Sequence, residues 1–158
     1  MIKGRLVPLV FTIVLAIAAG ALAQGAAASE QDRKEILGYP LTLPKANSLI
    51  AAMTEMTTYL VSRPDVAEVM ARSMKMTSAE RIAQMQRDPK AMAIATMHGL
   101  SAHDYVYGVP ALRMALNAAQ GLTGSNVIAS PANVAFAKAN LAELKPKMDA
   151  ADRGGARR

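Results

Sequence analysis

The sequence predicts an all-α fold, an up-and-down helical bundle of three long and about three short helices. Three observations carry that expectation. Apolar residues recur at steps of three and four through three long windows, the spacing that draws one stripe along an α-helix. Most windows open on Ser, Thr or Asp with a proline or an acidic residue close behind, which is the composition of a helix N-terminus. No stretch alternates apolar and polar residues with period two, so no strand is expected.

Residues 1–23 read as an export leader. Lys3 and Arg5 begin it, Leu6 to Ala19 is apolar, and Ala21-Leu22-Ala23 is a small-x-small cleavage site before Gln24. The apolar run is shorter than the about 20 residues that span a membrane. Localisation is therefore expected to be periplasmic or secreted. No cysteine follows the run, which excludes a lipid-anchored N-terminus, and none occurs elsewhere, which excludes disulfides and Cys-x-x-Cys-His haem attachment. Residues 24–38 read as a flexible segment in which Asp32 to Leu37 could make a short helix, 39–150 as the bundle domain and 151–158 as a polar tail. The leader would carry away two of the basic residues behind the formal charge of +6. No dense basic stripe with interleaved aromatics remains, so nucleic acid is not an expected partner. With 11 Met, 2 Phe and no Trp, the core is built from Met, Leu, Ile, Val and Ala, and Met keeps it adaptable.

Taken in order, Tyr39 to Pro44 is extended, because each of its two prolines restricts the residue before it. Thr42 or Leu43 then caps a long helix over roughly 44–61, with Ala46, Leu49, Met53, Met56 and Leu60 on one face. Ser62 and Asp65 are expected to cap a short helix that buries Val66, Val69, Met70 and Met74. Thr77-Ser78-Ala79-Glu80 is a capping box for the next, and Asp88-Pro89 opens a third that runs to Met97. Gly99 is the hinge of the chain. It stands where a helix end needs positive φ, with Leu100 folding back on the last turn, and Ser101 and Asp104 cap the next helix at once. That helix carries Tyr105, Val109, Leu112, Leu116 and Ala119 along one face, and Gly108-Val109-Pro110 predicts a kink in it. Residues 120–130 form a loop in which Leu122, Val127 and Ile128 tuck against the core. Ser130-Pro131 opens a last long helix through Val134, Ala137, Leu141, Leu144 and Met148, bent or ended by Pro146.

Three segments, Tyr39-x-Leu41-Thr42-x-x-Lys45, Gly99-Leu100-Ser101-x-x-Asp104-Tyr105 and Ser130-Pro131-Ala132-Asn133-Val134-x-Phe136, give the chain a pattern that resembles a group of small exported all-helical bacterial proteins without assigned activity. The resemblance implies an exported all-α domain. It implies no activity and no site residues.

Chemistry-bearing constellations are few. His98 and His103 could hold a metal or b-type haem with a methionine as second ligand, but Gly99 and Ser101 divide them between two helices. Met70, Met74, Met76, Met92 and Met97 are the candidate thioethers for a soft ion such as Cu(I), against core filling as the plainer role. No Gly-x-Ser-x-Gly sequence occurs, Ser101 and Ser130 serve as caps, and Asp65, Glu80 and Asp104 are accounted for by capping. Glu143 faces Lys147 across one turn. No enzyme and no cofactor is expected, haem b being the alternative. Tyr59, Tyr105, Tyr107 and Pro110 are the candidate lining of an amphipathic ligand pocket at the kink. The expected function is that of an exported, non-catalytic helical protein binding a protein partner or an apolar small molecule in the periplasm. The alternatives are a haem- or metal-binding protein and a small envelope stress or chaperone-like protein.

Overall fold

A computed structural model describes residues 29–122, 124 and 127–154, all helix, turn or extended connection, with no strand among the described residues. The leader and the cleavage site at Ala23-Gln24 lie outside them. Among the described residues eight helices follow one another: α1 (Glu30–Gly38), α2 (Leu43–Val61), α3 (Val66–Ser73), α4 (Ser78–Arg87), α5 (Pro89–Met97), α6 (Ala102–Ala119), α7 (Pro131–Ala139) and α8 (Leu141–Arg153). No helix among them is long and apolar enough to cross a membrane.

Helix starts follow the expected chemistry. The Thr42 hydroxyl accepts from the Lys45 amide to cap α2, and complete capping boxes begin α4 (Thr77 with Glu80) and α6 (Ser101 with Asp104). Asp88 caps α5 by accepting from the Lys90 and Ala91 amides, with Pro89 at the first helical position, where its missing N–H is not needed. At the other end of α5, Gly99 has φ +69°. The Leu100 amide donates to the Ala95 carbonyl and the Gly99 amide to Thr96, which is the paired closure of a helix turned by a left-handed residue. Gly121 closes α6 in the same way at φ +77°. The helix it ends is central: α6 packs against α1, α2, α4, α5, α7 and α8.

Several expectations are corrected. In the segment expected to be flexible, the short helix allowed over Asp32 to Leu37 is the longer α1, which is capped by Ser29, buries Ile36 and lies on α6. Ser62 does not start α3. It ends α2 by donating its hydroxyl proton to the Tyr59 carbonyl, and Asp65 is held by Arg63 instead of completing a cap. The last long helix is two. Asn140, at φ −114°, donates its side-chain amide to the Phe136 carbonyl, a local bond that competes with helix continuation, and the chain restarts as α8. Pro146 then sits inside α8 without ending it. Residues 151–153 belong to that helix and not to a tail, since Ala151 is buried and Asp152 binds Arg113. Leu122 stays exposed rather than tucking inward.

The core stripe of α2 is as expected, with Ala46, Leu49, Met53 and Met56 buried. On α6 the buried face is shifted towards small residues: Gly108, Ala111 and Ala115 join Leu112 and Leu116. Gly108 marks the closest approach. A Cβ built there would stand 2.8 Å from Leu49 Cδ2 and 2.8 Å from both Cζ and Oη of Tyr39.

The three segments that carried the resemblance meet in space. Tyr39 donates its phenolic proton to Asp104 Oδ1 at 3.0 Å, and Lys45 Nζ lies 2.7 Å from the same oxygen. Asn133, buried on α7, donates to the Tyr39 carbonyl at 2.9 Å and accepts from the Leu41 amide at 3.3 Å. The extended prolyl link between α1 and α2 is thereby bound to both α6 and α7. Burial opposes the Asp104 charge, but Lys45, Ser101 and the Tyr39 hydroxyl outweigh it and hold the carboxyl well below its usual range. Asp32 and Asp88 are lowered for similar reasons, burial again opposing the hydrogen bonds they accept.

These folded-state values lie below the unfolded ones, so the stabilisation is complete above the unfolded pKa near 3.8 and is lost as pH falls through the folded values. The urea midpoint is expected to be flat from about pH 5 to 8 and to drop below about pH 4. Asp104→Asn should make that acid slope shallower; a midpoint series in wild type and variant checks both expectations.

Candidate functional site

A groove opens between α2, α3, α4 and α6, with a cavity volume of about 300 Å³. Met53, Met56 and Leu60 line it from α2, and Val69, Met70 and Met74 from α3. Met85 contributes from α4, and Tyr105, Val106, Val109 and Pro110 from α6. Helix α3 is only eight residues long, and along this wall Val69 is buried, Met70 half-buried and Met74, just past the end of the helix, exposed. Unbranched thioether side chains make such a wall deformable. On the α6 side, Pro110 has no amide to offer the Val106 carbonyl, and both residues face the cavity.

Charged residues fix the rim. Asp88 caps α5 with Oδ1 and, with Oδ2, accepts from the Tyr59 hydroxyl at 2.8 Å and from Arg63 Nη1 at 3.0 Å. Arg63 also forks onto Asp65, its Nε and Nη2 each 2.9 Å from a carboxylate oxygen. Lys90 stands 4.9 Å from the Tyr59 ring centroid, so Tyr59 is clasped by two cations and a carboxylate. Across the groove, Arg113 pairs with Asp152 at 2.7 Å and reaches Met53 Sδ at 3.5 Å. Arg81, on α4, donates from Nε to the Ser73 carbonyl at 3.3 Å.

The tyrosine expectations divide. Tyr105 and Pro110 line the groove, and burial pushes the Tyr105 phenol well above its usual pKa, keeping the ring a neutral wall. Tyr59 braces the rim through Asp88 and Arg63 without entering the lining. Tyr107 belongs elsewhere: it is buried against α1 and donates its phenolic proton to Asp32 at 2.9 Å. Two residues further along a helix, a side chain turns about 200°, so Tyr105 and Tyr107 leave α6 on opposite sides.

The histidines do not converge on the methionines. His98 Nε2 lies 3.1 Å from Glu55 Oε1 on α2, buried and without a hydrogen bond of acceptable direction. His103 is half-exposed, 3.3 Å from Glu35 on α1, and its ring lies 4.7 Å from that of Tyr107. Neither histidine lines the groove, so the histidine–methionine haem pair has no meeting place there. Of the proposed soft-metal thioethers only Met70 and Met74 reach it; Met92 packs on the core and Met97 is exposed. No group of three or more His, Cys, Asp or Glu is placed to hold a metal among the described residues.

Sequence reasoning placed Met70 and Met74 in the core and missed all three arginines of the rim. One signal was available. Met53, Met56 and Leu60 stand on one apolar stripe of α2, and that stripe lines the groove. Among the described residues, fold and site together define an all-helical domain with an apolar groove between α2, α3, α4 and α6. No protein-family model, curated protein or solved structure matches the chain.

Proposed function

We propose that this is an exported, non-catalytic helical bundle protein, its long helices running up and down, that holds an apolar small molecule in the methionine-lined groove. The observation that supports the reading is a cavity with five methionines (Met53, Met56, Met70, Met74 and Met85) on its walls, braced by ion pairs at its rim. Ligand sites are concave, mostly apolar and equipped with a few placed polar groups, and this groove has that composition. Rigid support on α2 and α6 with deformable thioether walls suits a protein that accepts a family of apolar shapes.

A titration with the neutral dye Nile red tests the reading. Saturable binding is expected in the wild type. Val109→Trp, which fills the groove from α6, should weaken it at least about tenfold, the effect of blocking the apolar contact area of a small ligand. Met70→Arg should do the same from α3, with the far-ultraviolet circular dichroism of both variants unchanged. Binding that survives both substitutions would place the dye elsewhere and remove the proposal.

A further inference from the structure

The charges around the groove narrow the class of occupant, on the reading that the groove is the ligand site. Arg63 and Arg113 are committed to Asp65, Asp88 and Asp152. Arg81 is not: no carboxylate stands within ion-pair distance of its guanidinium among the described residues, and there only its Nε has a partner. The lining holds three arginines against Asp88, and that carboxylate already accepts from two amides, a hydroxyl and a guanidinium. The apolar wall thus ends at an uncompensated cation.

We propose that the occupant is a medium-chain fatty acid anion, its acyl chain against the methionines and its carboxylate on the Arg81 guanidinium. A planar guanidinium presents parallel N–H donors that match a carboxylate, and among the described residues Arg81 is the one arginine of the lining without a carboxylate partner, which matches a single negative charge. A volume of about 300 Å³ lies at the small end of the range for ligand sites, room for one chain and not for the two of a phospholipid. A neutral chain would gain nothing from Arg81, and a phosphate dianion would meet only half its charge.

Displacement of Nile red by decanoate, decanol and decyl phosphate, in wild type, Arg81→Gln, Arg81→Lys and Arg72→Gln, tests the assignment. Decanoate should compete at least about tenfold better than decanol, the worth of one charge-assisted contact at a half-exposed site, and its advantage should shrink with added salt. Arg81→Gln should erase that advantage and leave decanol unchanged, Arg81→Lys should restore part of it, and Arg72→Gln, paired with Glu68 on the outside of α3, should have no effect. Equal competition by decanol, a stronger response to decyl phosphate, or an Arg81→Gln protein that keeps the decanoate preference would overturn the assignment while leaving apolar binding intact. Absence of saturable dye binding in the wild type would instead remove the groove reading itself.

Discussion

Gly108→Val is expected to cost about 3 kcal/mol or more of stability, enough to leave much of a marginally stable domain unfolded. The position lies where α6 crosses α2 and the prolyl link. The first added carbon would stand 2.8 Å from atoms of both Leu49 and Tyr39, well inside van der Waals contact. Neither neighbour has room to withdraw. Leu49 is fully buried, and Tyr39 is 6% exposed. Tyr39 is also fixed at its hydroxyl by Asp104, over its ring by Lys45 at 5.0 Å, and at its carbonyl by Asn133. The helix-propensity gain on losing a glycine, about 1 kcal/mol, is too small to offset that overlap. Gly108→Ala should therefore also destabilise, by about 1–2 kcal/mol. Pro110→Ala separates the two accounts of this stretch. If Gly108 served mainly as the partner of Pro110 in a bend, the proline variant would be the disruptive one and Gly108→Ala benign. Close packing gives the opposite order, and urea midpoints of the three variants decide between them.

That contrast shows how far the sequence could be read. Local chemistry was legible at most helix ends where the cause lay within about four residues: the capping boxes at Thr77 and Ser101, the Asp88-Pro89 start, the turn at Gly99. The stripe of α2 was legible for the same reason, because its spacing is set by one helix alone. Gly108 was visible as an irregularity, but its meaning was not, since the atoms that require it belong to residues 39 and 49. The single last helix failed at Asn140, where a side-chain bond to Phe136 outweighed an unbroken apolar stripe. The groove was half legible. Tyr105 and Pro110 came from local pattern, whereas Arg63, Arg81 and Arg113 entered through ion pairs or exposure that depend on how three separate helices pack. Tyr107 was misplaced because nothing in the sequence set α1 against α6.

Asn133→Ala is the second large effect expected, about 2–4 kcal/mol, and its cause is likewise non-local. Asn133 is 5% exposed and its side chain satisfies one backbone donor and one backbone acceptor on a segment more than ninety residues earlier. Truncation leaves the Tyr39 carbonyl and the Leu41 amide without partners in a buried setting, and each such orphan costs about 1–3 kcal/mol. The Leu41 bond is the longer of the two, which places the expected sum towards the lower half of the range. The cap of α7 is not at stake, because the Asn133 backbone amide still donates to the Ser130 hydroxyl. Asn133→Asp gives a sharper test. The carboxylate could still accept from Leu41, but it would face the Tyr39 carbonyl with no proton to share, and burial adds to the penalty. Its folded pKa must then rise above the unfolded value, so its deficit grows as pH rises and shrinks as the group is protonated. The stability gap between wild type and Asn133→Asp should accordingly be widest at neutral pH and narrow below about pH 5, while the Asn133→Ala gap stays constant over the same range. Parallel urea titrations at several pH values measure both gaps. A constant gap for the aspartate variant, or an alanine effect under about 0.5 kcal/mol, would mean that the link between α1 and α2 is held by Tyr39 and Asp104 without this clamp.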